Sequence, residues 1–551
     1  MGAAATGVVV PGRRGVRQGA TATAVAVSML LASFGNFLGY HAYPMLRSEV
    51  ALVAAGLLIA AALYGLWYAA AGRIGRAAAE GSLLFLAVDL NTDGAVLVGV
   101  ALGLAVTLVR YRTGISLLPL LGTVAVVVFL TGLLGLGSRQ PPLQTSSAPV
   151  ETTSADRPAI LHIILDEHGG LASLPDERVK AAVSGLYRRH GFRLFDRAYS
   201  RHFHTVNAIP DILNFGSPGD SRKVSESLDI GRTAYLSGLE EQGYRLHFYQ
   251  SEFADFCRYS RAASCTRYWS PSLAFVDPLD LPAREKARVI AYKLAGLSDL
   301  AVTLGNIHDH LAQRPSLREW NLPRLAVKMN GLSGSLAAFE TLDRLASDVR
   351  RARPSNVYFA HVLAPHYPYV VGPDCRTLPP SQWRYRRSNV SIEERERAYF
   401  GQVHCLARRL DRVFANFAAS PGGASGIIVV HGDHGSRLTA SDPSYSNKRG
   451  LAADDLMASY STLFAVKSPS IAPGLEQRPF AVPELLAGLA RSRFASLDTV
   501  SPGSGRVFLN GPGWTARGET NIAGAWPDTR LTQSPPLVGK ARPTSIQGDH
   551  R

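Results

Sequence analysis

Two short stretches of this chain end an apolar run on side chains that bind cations and move protons. GIIVVHGDHGSR, residues 426–437, carries four β-branched residues into Asp433 and His434, with Gly432 and Gly435 on either side. AILHIILDEHGG, residues 159–170, does the same with Asp166 and Glu167 ahead of Gly169 and Gly170. Each apolar run reads as a strand buried on both faces, and the glycines mark an abrupt turn where it ends. In an open α/β sheet the carboxyl ends of the strands are where ligands bind. Two neighbouring strands of this form bring a carboxylate from one and a carboxylate with an imidazole from the other into one pocket, a donor set suited to a divalent cation. Asp-His-Gly alone is also an ordinary turn, so it is the pair of stretches that points to a site.

Between them lies YSRHFHTVNAIPDILNFG, residues 199–216. Thr205 precedes a turn at Pro210, which puts its hydroxyl near a helix amino terminus, where free backbone N–H groups stabilise an anion. A hydroxyl there that also touches a divalent cation loses its proton more easily and becomes a nucleophile; the position equally suits a helix-capping Thr. HVLAPHYPY, residues 361–369, adds His361 at a strand end and His366 between two prolines. Neutral imidazole near pH 7 suits proton transfer, while His361 also fits a satisfied core position. His202 and His204 flank Thr205 and share one side of an extended segment, for substrate contact or for packing. His308 and His310, two residues apart, point to different faces of a helix and read as surface.

Holding these groups together requires strands that alternate with helices. Strand-like runs recur at residues 160–165, 244–249, 356–362, 427–430 and 461–466, with a helical pattern at 335–353 between them. That alternation predicts an α/β fold whose mainly parallel sheet is sandwiched by helices. The chain, at 551 residues, is too long for one compact core. Its first 140 residues are mostly Ala, Val, Leu and Gly, and about 20 apolar residues suffice to cross a bilayer. Apolar stretches lie at 18–46, 51–72, 94–109 and 115–136, with a poorer one near 81–88. Counting all five puts Arg13, Arg14, Arg17, Arg73, Arg76, Arg110 and Arg112 on one side, which the positive-inside rule makes the cytoplasm. The expected layout is a transmembrane domain at 1–137, a Pro/Ser/Thr-rich linker at 138–158, an extracytoplasmic catalytic domain at 159–512 and a Pro/Gly-rich, partly disordered tail at 513–551. Residues 1–17 read as a cytoplasmic end and not as a removed signal.

The formal charge of +15 comes from scattered residues with no nucleic-acid reader motif. Nucleic acid is therefore excluded as a partner, in favour of anionic lipid or a phosphorylated substrate. The four cysteines, Cys257, Cys265, Cys375 and Cys405, form no Cys-x-x-Cys, which argues against a zinc ribbon. Outside the cytoplasm they are compatible with two disulfides, Cys257 with Cys265 being the nearest pair, or with four buried thiols.

The order LDE, T-x-x-x-I-P-x-I-L, HVLAPHYPY and VVHGDHGSR over residues 159–470 resembles the sulfatase-like branch of the alkaline phosphatase superfamily. Five amino-terminal spans ahead of an extracytoplasmic domain with a threonine nucleophile look like the phosphoglycerol and phosphoethanolamine transferases and the lipoteichoic-acid synthases. The resemblance implies a superfamily α/β/α sandwich in which Asp166, Thr205, Asp433 and His434 hold one divalent metal ion (Mn, Zn, Mg or Ca), with Glu167 as an alternative that could share the role of Asp166. It implies Thr205 as nucleophile and His366, with His361 as a weaker candidate, as catalytic histidines. The expected enzyme is a multi-pass protein of the bacterial inner membrane that moves a phospho-alcohol head group from a phospholipid donor to an envelope glycan or lipid acceptor. Three departures qualify this. The sulfatase Cys/Ser-x-Pro-x-Arg motif is replaced by His204-Thr205-Val206-Asn207-Ala208, which disfavours sulfate-ester hydrolysis. No Asp-x-x-x-His lies between Thr205 and Asp433, which favours a single metal. Asp166 stands where the transferases usually have Glu. The alternatives are a hydrolase with the same site, acting on phosphodiesters or sulfuric esters, and a non-catalytic membrane scaffold.

Overall fold

The protein is seen here as a computed structural model that describes residues 13–526 except 93–95, 134–140, 148–156, 175, 218–221, 225–226, 259, 313–333, 385–389 and 512–514. The disorder expected for the last residues of the tail falls outside the described residues, as do the side chains of His308 and His310.

Five helices open the chain, α1 (Arg13–Tyr40), α2 (Ser48–Ala70), α3 (Arg73–Asp89), α4 (Val96–Thr113) and α5 (Leu118–Leu133). Among the described residues three helices are long and apolar enough to cross a membrane, over Gly15–Tyr40, Ser48–Ala70 and Val96–Thr113, and Leu118–Leu130 is a shorter apolar helix. The stretch expected as a poor third span is α3, and its charges are why the sequence pattern is weak there. Glu80 is fully buried and accepts hydrogen bonds from Tyr68 Oη (2.6 Å), Arg110 Nε (3.0 Å), Ser116 Oγ (3.0 Å) and the Leu117 amide (2.6 Å). A buried carboxylate with a guanidinium and three further donors is satisfied, so it binds α3 to α2, α4 and the start of α5 instead of breaking the bundle. Outward the bundle exposes Leu58, Ile59, Leu63 and Leu66 on α2 and Leu97, Leu104 and Leu108 on α4.

The remainder is built on a nine-stranded sheet. Its strands are β1 (Leu143–Ser147), β2 (Ile160–Leu165), β3 (Arg193–Tyr199), β6 (Arg245–Ser251), β8 (Ala262–Tyr268), β9 (Asn356–Val362), β10 (Ile427–Gly432), β11 (Phe464–Lys467) and β12 (Gly474–Ala481), in the spatial order β1-β8-β6-β9-β2-β10-β11-β3-β12. The five central strands β8, β6, β9, β2 and β10 are mutually parallel, as are β3 and β12, while β1 and β11 run antiparallel to their neighbours. The sheet is thus mixed and mostly parallel. β4 (Arg222–Val224), β5 (Ser227–Asp229) and β7 (Ala254–Asp255) form a small sheet beside it, and β13 (Arg506–Asn510) pairs with β14 (Ala516–Asn521) as a hairpin.

Alternation along the central strands explains the two layers of helix. Leu161, Ile163 and Leu165 face α6 (Glu177–Arg189), α11 (Gly334–Asp348) and α12 (Ile392–Ala418), whereas Ile160 and Ile164 face α7 (Thr205–Leu213), α8 (Ala234–Glu241) and α14 (Val482–Arg491). Covered on both faces, β2, β9 and β10 are buried at every position, which is why they read as predominantly apolar runs. Two boundaries differ from expectation. β1 lies inside the stretch expected to be linker, where it closes the sheet on the edge of β8, and the hairpin β13–β14 carries the domain past residue 512.

Of the two states left open for the cysteines, the disulfides are the one present: Cys257, in the nearest pair, is bonded to Cys265, and Cys375 to Cys405. The second bond ties the segment after β9, which bears His366, to α12. Replacing Cys375 and Cys405 together by Ser is expected to cost about 3–4 kcal/mol through the freed loop. A fall in the denaturant midpoint at unchanged slope measures it.

Candidate active site and metal centre

The register of the sheet brings the two motifs together. Gly432, the last residue of β10, lies opposite Leu165 of β2, and Leu165 lies opposite Val362 of β9, so the three strands end level. Asp166 and Asp433 therefore leave the sheet side by side. Gly432 has to be glycine, because a Cβ there would strike the Thr462 hydroxyl and the His168 carbonyl. Glu167 takes a left-handed backbone at φ 65°, uncommon for a side-chain-bearing residue and frequent at functional turns. In that conformation its amide donates to Asp433 Oδ1 (3.1 Å), which also accepts from the amide of His434 (2.8 Å). Asp433 Oδ2 is left buried with no hydrogen-bond partner among the described residues.

Thr205 meets this cluster from the other layer. α7 begins on Thr205 itself and runs through Pro210, so the proline sits inside the helix and not in a turn before it. The Thr205 hydroxyl donates to Asp166 Oδ1 (3.4 Å) and lies 3.1 Å from His434 Nε2. His434 Nδ1 is 2.9 Å from the Gly435 carbonyl, which can only accept, so Nδ1 carries the hydrogen and the Nε2 lone pair faces the carboxylates. That atom is 3.2 Å from Asp433 Oδ2 and 3.8 Å from Asp166 Oδ1.

These residues suit a cation. Ligand atoms of Asp166, Asp433 and His434 all lie within 4.8 Å of one another, and the three side chains are buried. Burial, and then Glu167 beside it, raises the Asp166 carboxyl; burial, and then Asp166, raises that of Asp433 well above the ordinary carboxylate range. Burial, with Arg437 nearby, holds His434 well below its usual value and therefore neutral. Two buried carboxylates that resist ionising together, one with an orphaned oxygen, next to a neutral imidazole lone pair, form an arrangement a divalent ion relieves.

Glu167 does not join that group. Its Oε1 is paired with Arg437 through both Nε (2.7 Å) and a terminal nitrogen, while Oε2 is buried with no hydrogen-bond partner among the described residues; Arg437 also reaches His204 Nδ1 (3.1 Å). His366 Nε2 stands 3.7 Å from Glu167 Oε1, and its Nδ1 lies 2.5 Å from the Tyr367 carbonyl, which leaves Nε2 as the free lone pair. Burial lowers His366 from its usual value, against the pull of Glu167. His361 is elsewhere: it is fully buried within β9, its ring edge-on to Phe256 at 5.9 Å, and neither ring nitrogen has a partner among the described residues. Burial drives it down to about 3. His202 packs flat on Phe508 at 4.8 Å, and His204 stands just before α7 with no side-chain capping bond, beside Arg437.

Three residues shape the site without having been singled out from sequence. Arg437 was legible as the one charged residue following Asp-His-Gly in its motif. Tyr399 on α12 donates to the Glu167 carbonyl (2.8 Å) and accepts from the Gly169 amide (2.9 Å), and Thr462 donates to the carbonyls of His168 and His434. Neither carries a local signal. Arg437→Met is expected to destabilise the protein by about 3–5 kcal/mol, because it strands the buried Glu167 carboxylate. Glu167→Gln added to it should recover most of that loss, and chemical denaturation of the two variants measures both.

No family model and no curated protein is similar to the chain. Solved structures are. The C-terminal periplasmic domain of EcEptC from Escherichia coli, in complex with Zn, is 14% identical with a TM-score of 0.35 over 66% of this chain and 88% of that one. A protein in the alkaline phosphatase superfamily from Vibrio parahaemolyticus is 12% identical, TM-score 0.36, over 64% and 73%. A phosphonate monoester hydrolase of Agrobacterium radiobacter is 12% identical, TM-score 0.36, over 65% and 81%. Likeness at this level does not extend to chemistry, which rests on the side chains themselves.

Proposed function

We propose that the protein is a membrane-anchored, metal-dependent transferase that moves a phospho-alcohol head group, phosphoglycerol or phosphoethanolamine, from a phospholipid to an envelope glycan or lipid. The observation that carries this is the Thr205 hydroxyl at the start of α7, hydrogen-bonded to Asp166 and 3.1 Å from His434 Nε2. Asp166, Asp433 and His434, with the Thr205 oxygen, are the residues that would hold the ion. Such an ion supplies charge stabilisation to the phosphoryl oxygens and makes the hydroxyl more acidic.

The chain's own groups do the rest. Thr205 Oγ1 attacks the diester phosphorus, its proton leaving along the hydrogen bond to Asp166; the Oγ1–P bond forms, the bond from phosphorus to the glycerolipid oxygen breaks, and the proton is returned to that oxygen. Thr205 is the first residue of α7, so the positive end of the helix dipole faces the added negative charge. An acceptor hydroxyl then gives its proton to the free Nε2 of His366 and attacks phosphorus. Thr205 leaves and recovers a proton from the imidazolium. Arg437, held by Glu167, keeps a fixed positive charge beside the reacting phosphate. The apolar helices fit an inner-membrane location with the domain outside the cytoplasm, where both disulfides persist. Phospholipid labelled in its head-group phosphate separates the possibilities. Transfer of label to an acceptor is the expected result; release to water alone would make the protein a hydrolase, and retention in the lipid would sink the enzymatic reading.

A further inference from the structure

The domain sits on the helical bundle through one end of that bundle. α1 finishes and α2 starts at the loop 41–47, and α3 finishes at Asp89, so these ends lie on one side. The His41 ring stacks on Trp269 at 5.1 Å and Tyr40 meets the same indole edge-on at 4.9 Å. Ser272 Oγ donates to the His41 carbonyl (3.1 Å), Arg47 pairs with Asp277 (2.8 Å), and Ser298 Oγ donates to Asp89 Oδ2 (2.5 Å). Trp269, Ser272 and Asp277 follow directly on β8, which runs parallel to β6 and, through it, to β9, β2 and β10. The seam with the bundle and the candidate site therefore emerge from the same edge of the sheet. Tyr268 Oη links them by accepting from the Leu363 amide (3.3 Å), the first residue after β9.

α10 (Asp299–Ala312) starts at this seam, immediately after Ser298. Leu300, Leu304 and Ile307 are spaced four and three apart and so form one stripe along it. They are 40%, 53% and 51% exposed. The stripe of three large apolar side chains begins beside the end of α3, where Ser298 bonds Asp89, at the end of a bundle whose own exterior is apolar. We infer that the stripe lies in the lipid boundary of the outer leaflet, so that the edge bearing Asp166, Asp433 and His434 faces the lipid surface and takes its substrate from there. This rests on the bundle spanning the membrane as proposed above. An amphipathic helix in that position sinks its apolar face roughly 5–10 Å below the headgroups.

All four cysteines are disulfide-bonded, so Leu304→Cys in the full-length protein supplies a single free thiol for an environment-sensitive fluorophore. The protein is reconstituted in vesicles of phosphatidylglycerol and phosphatidylcholine, with or without lipid spin-labelled near the headgroup end of its acyl chain. The expected result is quenching of the Leu304→Cys label by about twofold or more, as interfacial depth requires. A label on Ser425→Cys, exposed beside the start of β10 at the opposite edge of the sheet, should stay unquenched. An unquenched Leu304→Cys label overturns the inference, whether the fluorophore is in water or is shielded by a second copy or another protein. The measurement needs no turnover, so a failure of the transferase reading, seen as inert labelled phospholipid, is told apart from a failure of this one.

Discussion

Thr205→Ala protein is expected to fold, to bind a divalent cation and to leave labelled phospholipid untouched, with turnover down on the order of 10⁴-fold or more, as when a covalent nucleophile is deleted. Alanine is the best helix former at an α7 position that needs no cap from this side chain, so stability should change little. The loss would thus be chemical. Intact mass of the wild-type protein, trapped during turnover, should show an added phospho-alcohol that maps to residue 205, and Thr205→Ser should retain a measurable rate because it keeps the hydroxyl. Full turnover by Thr205→Ala would remove the covalent route and with it the role assigned to the start of α7.

Asp433→Asn is expected to have the next largest effect, and in two opposite directions. Oδ1 of Asp433 accepts two backbone amides, and an amide oxygen can do the same, so the turn after β10 should survive. Oδ2, buried and without a hydrogen-bond partner among the described residues, becomes an NH₂ that offers hydrogens where an ion needs a lone pair. Metal affinity should fall by at least about 100-fold, since even outer partners of a metal are worth 10–100-fold. Calorimetric titration with the metal alone reads this without reference to activity. The metal-free proteins should show the reverse order. Burial and Asp166 both oppose ionisation of Asp433, so its charged form costs the folded state stability at neutral pH, and removing that charge should raise the thermal midpoint of the metal-free variant above that of metal-stripped wild type. Unchanged metal binding would mean that these residues do not form the centre.

Much of this was visible in the residues alone, for a definite reason. A strand covered on both faces is mostly apolar, so Ile160–Leu165 and Ile427–Gly432 announce themselves by composition although each carries one buried histidine, His162 and His431, bonded to each other, and an acid at the end of such a run stands out against it. The cysteines alone left disulfides and buried thiols both open, whereas the apolar bundle was legible on similarly local grounds. β1 was not: Leu143–Ser147 is polar and largely exposed, as an edge strand with one neighbour can be, and its residues suit a linker equally well. The antiparallel course of β11 was also hidden, because a short buried run has the same pattern in either direction.

His361 and Glu167 show where local pattern stops. Both occupy motif positions that invite a role at the site, and neighbours far along the chain set them outside the Asp166, Asp433 and His434 group. Strand alternation turns His361 into the layer with Phe256, and Arg437, 270 positions away, claims Glu167. Sequence by itself determined which side chains are capable of chemistry and that an apolar bundle precedes them, since residue type and burial pattern are properties of a segment. Only the tertiary structure decided that Leu165, Val362 and Gly432 end level, that Thr205 meets Asp166 and His434 from the opposite layer, and that the same edge rests on the bundle, because register and the packing of distant segments are properties of pairs.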